Sequence, residues 1–273
     1  MRPPDAIAGW DDEVNAELYD QFTRNYPFYA DTSRDLAVRA DLSGSDLVVD
    51  LCGGTGITAS ILLETMPPHG RVVSVDAAKA MQTVGRRSIP DPRITWVTAR
   101  AEAVADHLHQ PVDAVVCNSA IWKTNSTAVF AAVKRILRPG GRFVFNIGGA
   151  FAGLSTGDRE TRSTPTLNDL ITAIAVLDHG YVPRREKDSR PAMTADIVHT
   201  QLTAAGFTVL AVDTVDHTGT LEEKRTWLSI PLFARPPGQL THIQRMEILD
   251  KAYAKADKTQ MNTTTWLIVT AKA

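Results

Sequence analysis

Cysteine is scarce in this chain, which holds Cys52 and Cys117 and no others. Two thiols give neither a disulfide framework nor a metal-ligand spacing. Each is expected to be a small buried apolar residue at a strand end. Long hydrophobic runs are missing as well. None approaches the ~20 residues of a membrane span, and the N-terminus lacks the apolar core of a signal peptide. Nor is there an excess of one charge: Lys and Arg number 29 against 31 Asp and Glu, and that balance supplies no general footprint for nucleic acid. A local basic run of Arg184, Arg185, Lys187 and Arg190 is interrupted by Glu186 and Asp188 and reads as a solvated loop. No nucleic-acid partner and no membrane partner are expected, and a cytoplasmic enzyme is. With 273 residues the chain can bury a full α/β core as one domain with an insertion.

What is present is concentrated in Val48-Val49-Asp50-Leu51-Cys52-Gly53-Gly54-Thr55-Gly56. An apolar run ends in an acid, and a glycine turn then opens a helical pattern through Ile57, Ala59, Ile61 and Leu62. That is the first half of a βαβ unit. Glycines let a ligand approach the backbone, and the helix start offers it unpaired N–H groups. Gly54-Thr55-Gly56-Ile57-Thr58-Ala59 satisfies the G-x-G-x-x-A of dinucleotide sites. Asp76, which ends the next apolar strand, suits a ribose in either kind of cofactor. Asp50 discriminates. A carboxylate at the mouth of the first strand repels a pyrophosphate and attracts a cofactor bearing an ammonium and a sulfonium.

Strands and helices alternate around this unit. Trp10, Val14, Leu18 and Phe22 form a helical stripe, followed by an aromatic loop, Tyr26 to Tyr29, and a second helix over about 32–42. Helices are expected over 57–65 and 77–87, the latter with Met81 and Val84 inward, and strands over 94–97 and 112–117. Asn125-Ser126 caps a helix with Val129, Phe130, Val133, Ile136 and Leu137 on one face, and Pro139-Gly140-Gly141 turns the chain into a strand over 143–147. The sheet is therefore doubly wound, α/β and parallel to this point. A loop to about 162 leads to a helix with Leu167, Leu170, Ile171, Ile174 and Leu177 inward, then a helix over 194–205. Strands at 207–215 and 264–270 are separated by more than forty residues, too many for a structureless connection. Leu240, Ile243, Met246, Leu249 and Tyr253 mark a helix there, read as a lid or acceptor wall, with cover for a sheet edge as the plainer role.

Asp50 to Gly56, Asp76, and Leu137-Arg138-Pro139-Gly140-Gly141-Arg142 ahead of a strand resemble class I S-adenosylmethionine-dependent methyltransferases. The likeness is to the small-molecule branch that includes quinone-biosynthesis and natural-product enzymes, and it covers about residues 10 to 150. It implies a Rossmann-like sheet, mostly parallel, with a terminal antiparallel hairpin. It also implies one domain: an N-terminal helical cap over 10–45, a cofactor core over 46–150, a helical segment over 151–205 and a lid insertion over 219–262. The implied cofactor is S-adenosyl-L-methionine, with S-adenosyl-L-homocysteine as product. The implied reaction is in-line methyl transfer to O, N or C of a small, hydrophobic metabolite, in which positioning is the main contribution.

The same likeness assigns roles. Gly53, Gly54 and Gly56 admit the cofactor beside Cys52, and Asp50 takes its amino group directly or through water. Asp76 takes the ribose diol, Ala77 and Met81 lie beside ribose and adenine, and Tyr19 reaches over the methionine end. Asn118, Ser119 and Trp122 border the methyl group. Ala101 and Glu102 belong to the adenine turn, where Arg100 stands in place of the usual acid. Arginine cannot accept a hydrogen bond, so adenine recognition falls to Glu102, to backbone or elsewhere.

Base candidates are His179, His217 and Tyr26, with Glu222 and Glu223 behind them, none inside a motif. His107 and His109 read as surface residues. No metal cluster appears, so metal-assisted chemistry is not expected. Two alternatives stay open: a protein of this fold that binds the cofactor but only binds or catalyses cyclisation or rearrangement, and an NAD(P)-dependent oxidoreductase. Arg100 leaves room for the first, and Asp50 opposes the second. Trp122, Trp227 and Phe233 suggest a hydrophobic acceptor. The oligomeric state stays open, a homodimer included.

Overall fold

The computed structural model describes residues 9–154, 164–183 and 191–273. The lead-in over 1–8 and the basic run over 184–190 lie outside these residues. In chain order the elements are α1 (Glu13–Asn25), α2 (Phe28–Ala40), β1 (Leu47–Leu51), α3 (Ile57–Thr65), β2 (Arg71–Asp76), α4 (Lys79–Ser88) and β3 (Ile94–Thr98). Then come β4 (Val112–Cys117), α5 (Ser126–Ile136), β5 (Leu137–Gly148), α6 (Leu167–His179) and α7 (Ala195–Ala204). β6 (Thr208–Gly219), α8 (Leu221–Ser229), α9 (His242–Lys255) and β7 (Asn262–Lys272) complete the chain.

The strands form one sheet in the order β3-β2-β1-β4-β5-β7-β6. β1 pairs in parallel with β2 and β4, and β4 pairs in parallel with β5. β7 runs antiparallel to β5, with Phe145 opposite Val269 and Gly148 opposite Trp266. Strand order reverses between β1 and β4, and the carboxyl ends there open the crevice where ligands of such sheets bind. β1 is buried at every residue, as a central parallel strand covered on both faces must be. Alternate residues serve the two faces. Val49, Leu51, Val115, Phe143 and Phe145 pack with Phe130 and Val133 of α5 and Val198 and Leu202 of α7. Val48, Val116, Val144 and Ile268 pack with Leu36 and Ala37 of α2 and Leu62 of α3.

The chain divides into two compact units. The sheet unit takes in the chain to Ser155, Ala192–His217 and Thr264–Ala273, and the second takes Thr156–Pro191 and Thr218–Thr263. The second unit has its own core, in which Leu167, Ile171, Leu221, Leu228, Ile248 and Leu249 meet. Reciprocal capping boxes start two of its helices, Thr166 with Asp169 for α6 and Thr241 with Gln244 for α9, satisfying amide groups the helix leaves open.

Several local expectations are corrected. Phe28 and Tyr29 are not loop residues: α2 begins at Phe28 directly after Pro27, and Asp41, whose φ is 54°, caps its end after Ala40. Pro139-Gly140-Gly141 does not precede β5 but is an excursion within it, where the pairing jumps from Val112–Leu137 to Ala114–Arg142. Leu177 is 82% exposed rather than inward, and Ile243 is 72% exposed, because Ile174 and Ile248 take the buried stripes of their helices. α8 was not anticipated, although Thr220 with Glu223 three residues on is the sequence signature of a helix start.

Candidate cofactor site

The site begins with a carboxylate under a loop. Asp50 is fully buried near the end of β1, and its Oδ2 accepts the Ala59 N–H at 3.1 Å, one of the open amides in the first turn of α3. Oδ1 has no hydrogen-bond partner among the described residues, and neither do the neighbouring Ser74 Oγ and Thr55 Oγ1. Asp50 is thus not at the mouth of the strand but beneath the glycine loop. A Cβ on Gly53 would stand 2.4 Å from both Asp50 Oδ2 and Ser74 Oγ, so the loop can lie on these groups only without a side chain. Gly56 starts α3 at φ 89°, in the left-handed region that favours glycine. Burial, then the nearby Asp76, push the Asp50 carboxyl up to about 7, against the pull of the Ala59 amide.

Asp76 ends β2 and ties two loops together. Its Oδ2 accepts from Gly54 N at 2.9 Å and its Oδ1 from Ala78 N at 2.8 Å. Burial raises its pKa, while the Ala78 and Gly54 amides and the Lys123 ammonium lower it. Each oxygen keeps a lone pair for a further donor. Ala77 lies in the turn spanned by the second bond. Tyr19 of α1 comes within 3.8 Å of where a Gly54 Cβ would be and packs edge-on against Trp10, with ring centroids 5.6 Å apart. Burial, with Tyr29 beside it, holds its phenol well above the usual range. Met81 is buried among Ala16, Ala78 and Val84, with Trp10 and Tyr19 against that cluster, so its contacts are core contacts.

The β4–β5 side is built differently. The Asn118 side chain turns to α2, where its Nδ2 donates to Ser33 Oγ at 2.9 Å and Thr32 Oγ1 at 3.0 Å. Asn146 Nδ2 donates to Asn118 Oδ1 at 2.9 Å, and Asn146 Oδ1 accepts the Ser119 N–H at 2.6 Å. The Asn118 side-chain amide expected at the methyl group is therefore spent on α2 and on Asn146, and Asn146 in turn holds the left-handed backbone of Ser119, whose φ is 59°. Trp122 stacks on Phe151 with centroids 4.8 Å apart at 16°, and lies 6.4 Å from Trp266. Lys123 follows it and stands 4.2 Å from the centre of the Trp10 ring.

Other sequence candidates fall elsewhere. Ala101 is buried at the start of a short 3-10 turn over Ala101–Asp106. Glu102 Oε1 accepts from Asn125 N at 2.9 Å, and its other oxygen lies 4.0 Å from the exposed Arg100. Cys52 takes φ 58° directly after β1 and lies beside the buried Cys117; that thiol contact and burial raise the Cys52 pKa. The three base candidates lie on separate elements. Tyr26 caps the end of α1 and packs on Phe22; His217 Nε2 lies 2.7 Å from Asp35 Oδ2 and joins β6 to α2; His179 ends α6 in the second unit. Among the described residues no cluster of His, Cys, Asp or Glu could hold a metal, and no helix is long and apolar enough to cross a membrane.

The sequence reading missed Ser74, Asn146 and Lys123. Ser74 and Asn146 had a signal: each is a lone polar residue inside an apolar strand, Val-Val-Ser-Val and Phe-Val-Phe-Asn-Ile. Lys123 had only its place after β4.

A buried acid under a glycine loop and a half-buried one beside it, at the β1–β4 switch, coincide with residues 48–141, which match the family described as "Methyltransferase domain". That stretch belongs to the S-adenosylmethionine-dependent methyltransferase domain family. Trans-aconitate 2-methyltransferase of Azoarcus sp. (strain BH72) is 32% identical over 133 residues, 48% of this chain and 48% of that protein. The ubiquinone/menaquinone biosynthesis C-methyltransferase UbiE of Teredinibacter turnerae is 31% identical over 111 residues, 38% of this chain and 45% of the other. The chain thus spans about half the length of the curated relatives it matches. A solved structure of the 4+2 cyclase SpnF superposes with TM-score 0.54 and 16% identity, over 88% of this chain and 80% of the cyclase. At that identity the likeness shows the fold, with its mostly parallel sheet, terminal antiparallel strands and flanking helices.

The cradle fits the family's cofactor, S-adenosylmethionine, which carries an ammonium and a ribose diol. Asp50 Oδ1 is an unpaired buried acceptor, and Asp76 has acceptor capacity left. A diphosphate fits less well, because Asp50 already occupies an amide of the first turn of α3 that would otherwise meet a phosphate.

Proposed function

We propose that this protein transfers a methyl group from S-adenosylmethionine to a small acceptor molecule. The observation that carries the reading is Asp50: a buried carboxylate with one oxygen on α3 and the other without a partner, directly beneath the glycine loop. When bound, the cofactor supplies an activated methyl group. The chain's own residues do the rest. Asp50, held near neutrality by burial, ionises when an ammonium comes close and then pairs with it. Asp76 accepts from the ribose hydroxyls while keeping the Gly54 and Ala78 amides in place. Tyr19 closes over Gly54 and sheds water from the crevice. Asn146 sets the Ser119 backbone at the β4 edge, and Trp122 with Phe151 offers a flat apolar wall to an acceptor.

Within the sheet unit Tyr26 packs on Phe22 and His217 is bonded to Asp35, which favours an acceptor needing no base from these two and catalysis by alignment. The second unit, an insertion relative to the doubly wound core, is assigned to acceptor selection. Calorimetry with S-adenosylhomocysteine and with NAD, followed by incubation of the protein and labelled S-adenosylmethionine with a panel of small acids and aromatic metabolites, tests the reading. Saturable binding of the first ligand and label in one acceptor support it. Binding of NAD alone overturns it. Binding without transfer to any acceptor, but with consumption of an unsaturated test compound, turns the reading toward cyclisation.

A further inference from the structure

The second unit holds two cations close together without a carboxylate between them. Lys224 lies on α8 one turn before Trp227, and its Nζ stands 4.7 Å from the centre of that indole. Trp227 in turn stacks on Phe233, with centroids 4.0 Å apart at 10°. Arg235 follows two residues later, exposed, and acts electrostatically on Lys224. Burial and the Arg235 guanidinium draw the Lys224 ammonium down to about 8.

The acids of α8 are committed elsewhere. Glu222 lies 3.5 Å from Arg225, which also pairs with Asp250 at 2.9 Å. Glu223 folds its carboxylate back toward Gly219. Among the described residues neither Lys224 nor Arg235 has a carboxylate in ion-pair range. A half-buried lysine that feels a guanidinium is costly unless a negative charge joins it, and the indole face offsets only part of that cost. Arginine and lysine together are also the pair that recognises carboxylate and phosphoryl oxygens best.

We infer that Lys224 and Arg235, seated against the Trp227–Phe233 stack, form a binding site for a small organic anion, a carboxylate or phosphoryl group on an apolar body. The rings contact the apolar part and the two cations hold the acidic end.

The test is titration of the full chain, saturated with S-adenosylhomocysteine, with benzoate and separately with phenyl phosphate, following Trp fluorescence and heat. Saturable binding of either is expected. Benzoate alone identifies a carboxylate site, phenyl phosphate alone a phosphoryl site. Lys224→Met and Arg235→Gln are each expected to weaken binding about tenfold, the scale of one charge-assisted hydrogen bond. Lys224→Arg keeps the charge and is expected to keep binding within about threefold of the wild type, which controls for folding. No saturable binding by wild type, or unchanged binding by both neutral variants, overturns the inference. S-adenosylhomocysteine affinity, measured in the same variants, is expected to stay unchanged. If the wild type binds the anions but not S-adenosylhomocysteine, the methyl-transfer reading fails while the anion site stands.

Discussion

At the carboxyl ends of β1 and β2 the polar atoms are carboxylates and main-chain amides; at those of β4 and β5 they are side-chain amides and hydroxyls bonded to one another. Asp50 keeps an oxygen without a partner and Asp76 holds two loop amides, so the first edge retains capacity for a polar ligand. Asn118, Asn146, Thr32 and Ser33 have turned inward, and the second edge carries the stacked Trp122 and Phe151 instead. Polar groups left unsatisfied inside a protein are expensive and call for an explanation. Where they cluster, the missing partner is expected to be a ligand. Where they are satisfied, as around Asn118, they make structure.

The comparison breaks most readily at Gly53. Gly53→Val drives its side chain onto Asp50 and Ser74 and is expected to cost about 3 kcal/mol or more, with loss of S-adenosylhomocysteine binding. Urea melts and calorimetry read both effects, and wild-type affinity in the variant would show that the loop does not lie where described. Next in size is the β4–β5 network. Asn146→Leu strands the Ser119 N–H and Asn118 Oδ1 and is expected to cost about 2 kcal/mol. Asn118→Leu in the same background is expected to add less than it costs alone, because the two share partners. Full additivity would dissolve the network.

Asp50 gives a smaller effect with a distinct pH signature. Its folded pKa, about 7, lies above its ordinary 3.8, so between these values the folded state binds more protons than the unfolded one. Stability contributed by this group is therefore present at low pH and lost as pH rises toward the folded value. Asp50→Asn is expected to flatten that decline between about pH 4 and pH 7 while weakening S-adenosylhomocysteine binding above it. An unchanged pH slope would mean that Asp50 is ionised throughout. The smallest effect belongs to Leu177→Asp, expected to change stability by less than about 0.5 kcal/mol because the side chain is exposed. A larger loss would restore Leu177 to a packing role.

The first edge was largely legible in the sequence, and the second was not. Glycines and acids at a strand end advertise themselves by type and spacing, because loop geometry demands them within a few residues. The Asn118–Asn146 bond joins positions 28 residues apart on neighbouring strands, and Thr32 is further away still. No local pattern announces such a pairing. The same holds for the burial of Asp50, which depends on α3 and β2 folding over it. Helix faces were misjudged at Leu177 and Ile243 because apolar residues surround those helices, and burial went to neighbours one turn away. The Lys224–Arg235 cluster was invisible, since α8 itself went unread.

β7 is threaded between β5 and β6 although it is made after both. A nascent polypeptide that has reached Gly219 carries β6 with nothing to pair with, and β5 has one flank bare. Both stay open until Asn262 to Lys272 have been synthesised, some forty residues on. Unpaired flanks of this kind invite strands from other chains. Ribosome pausing inside the second unit therefore lengthens the interval in which this protein is most prone to clump, and holdase chaperones should be found on chains halted there.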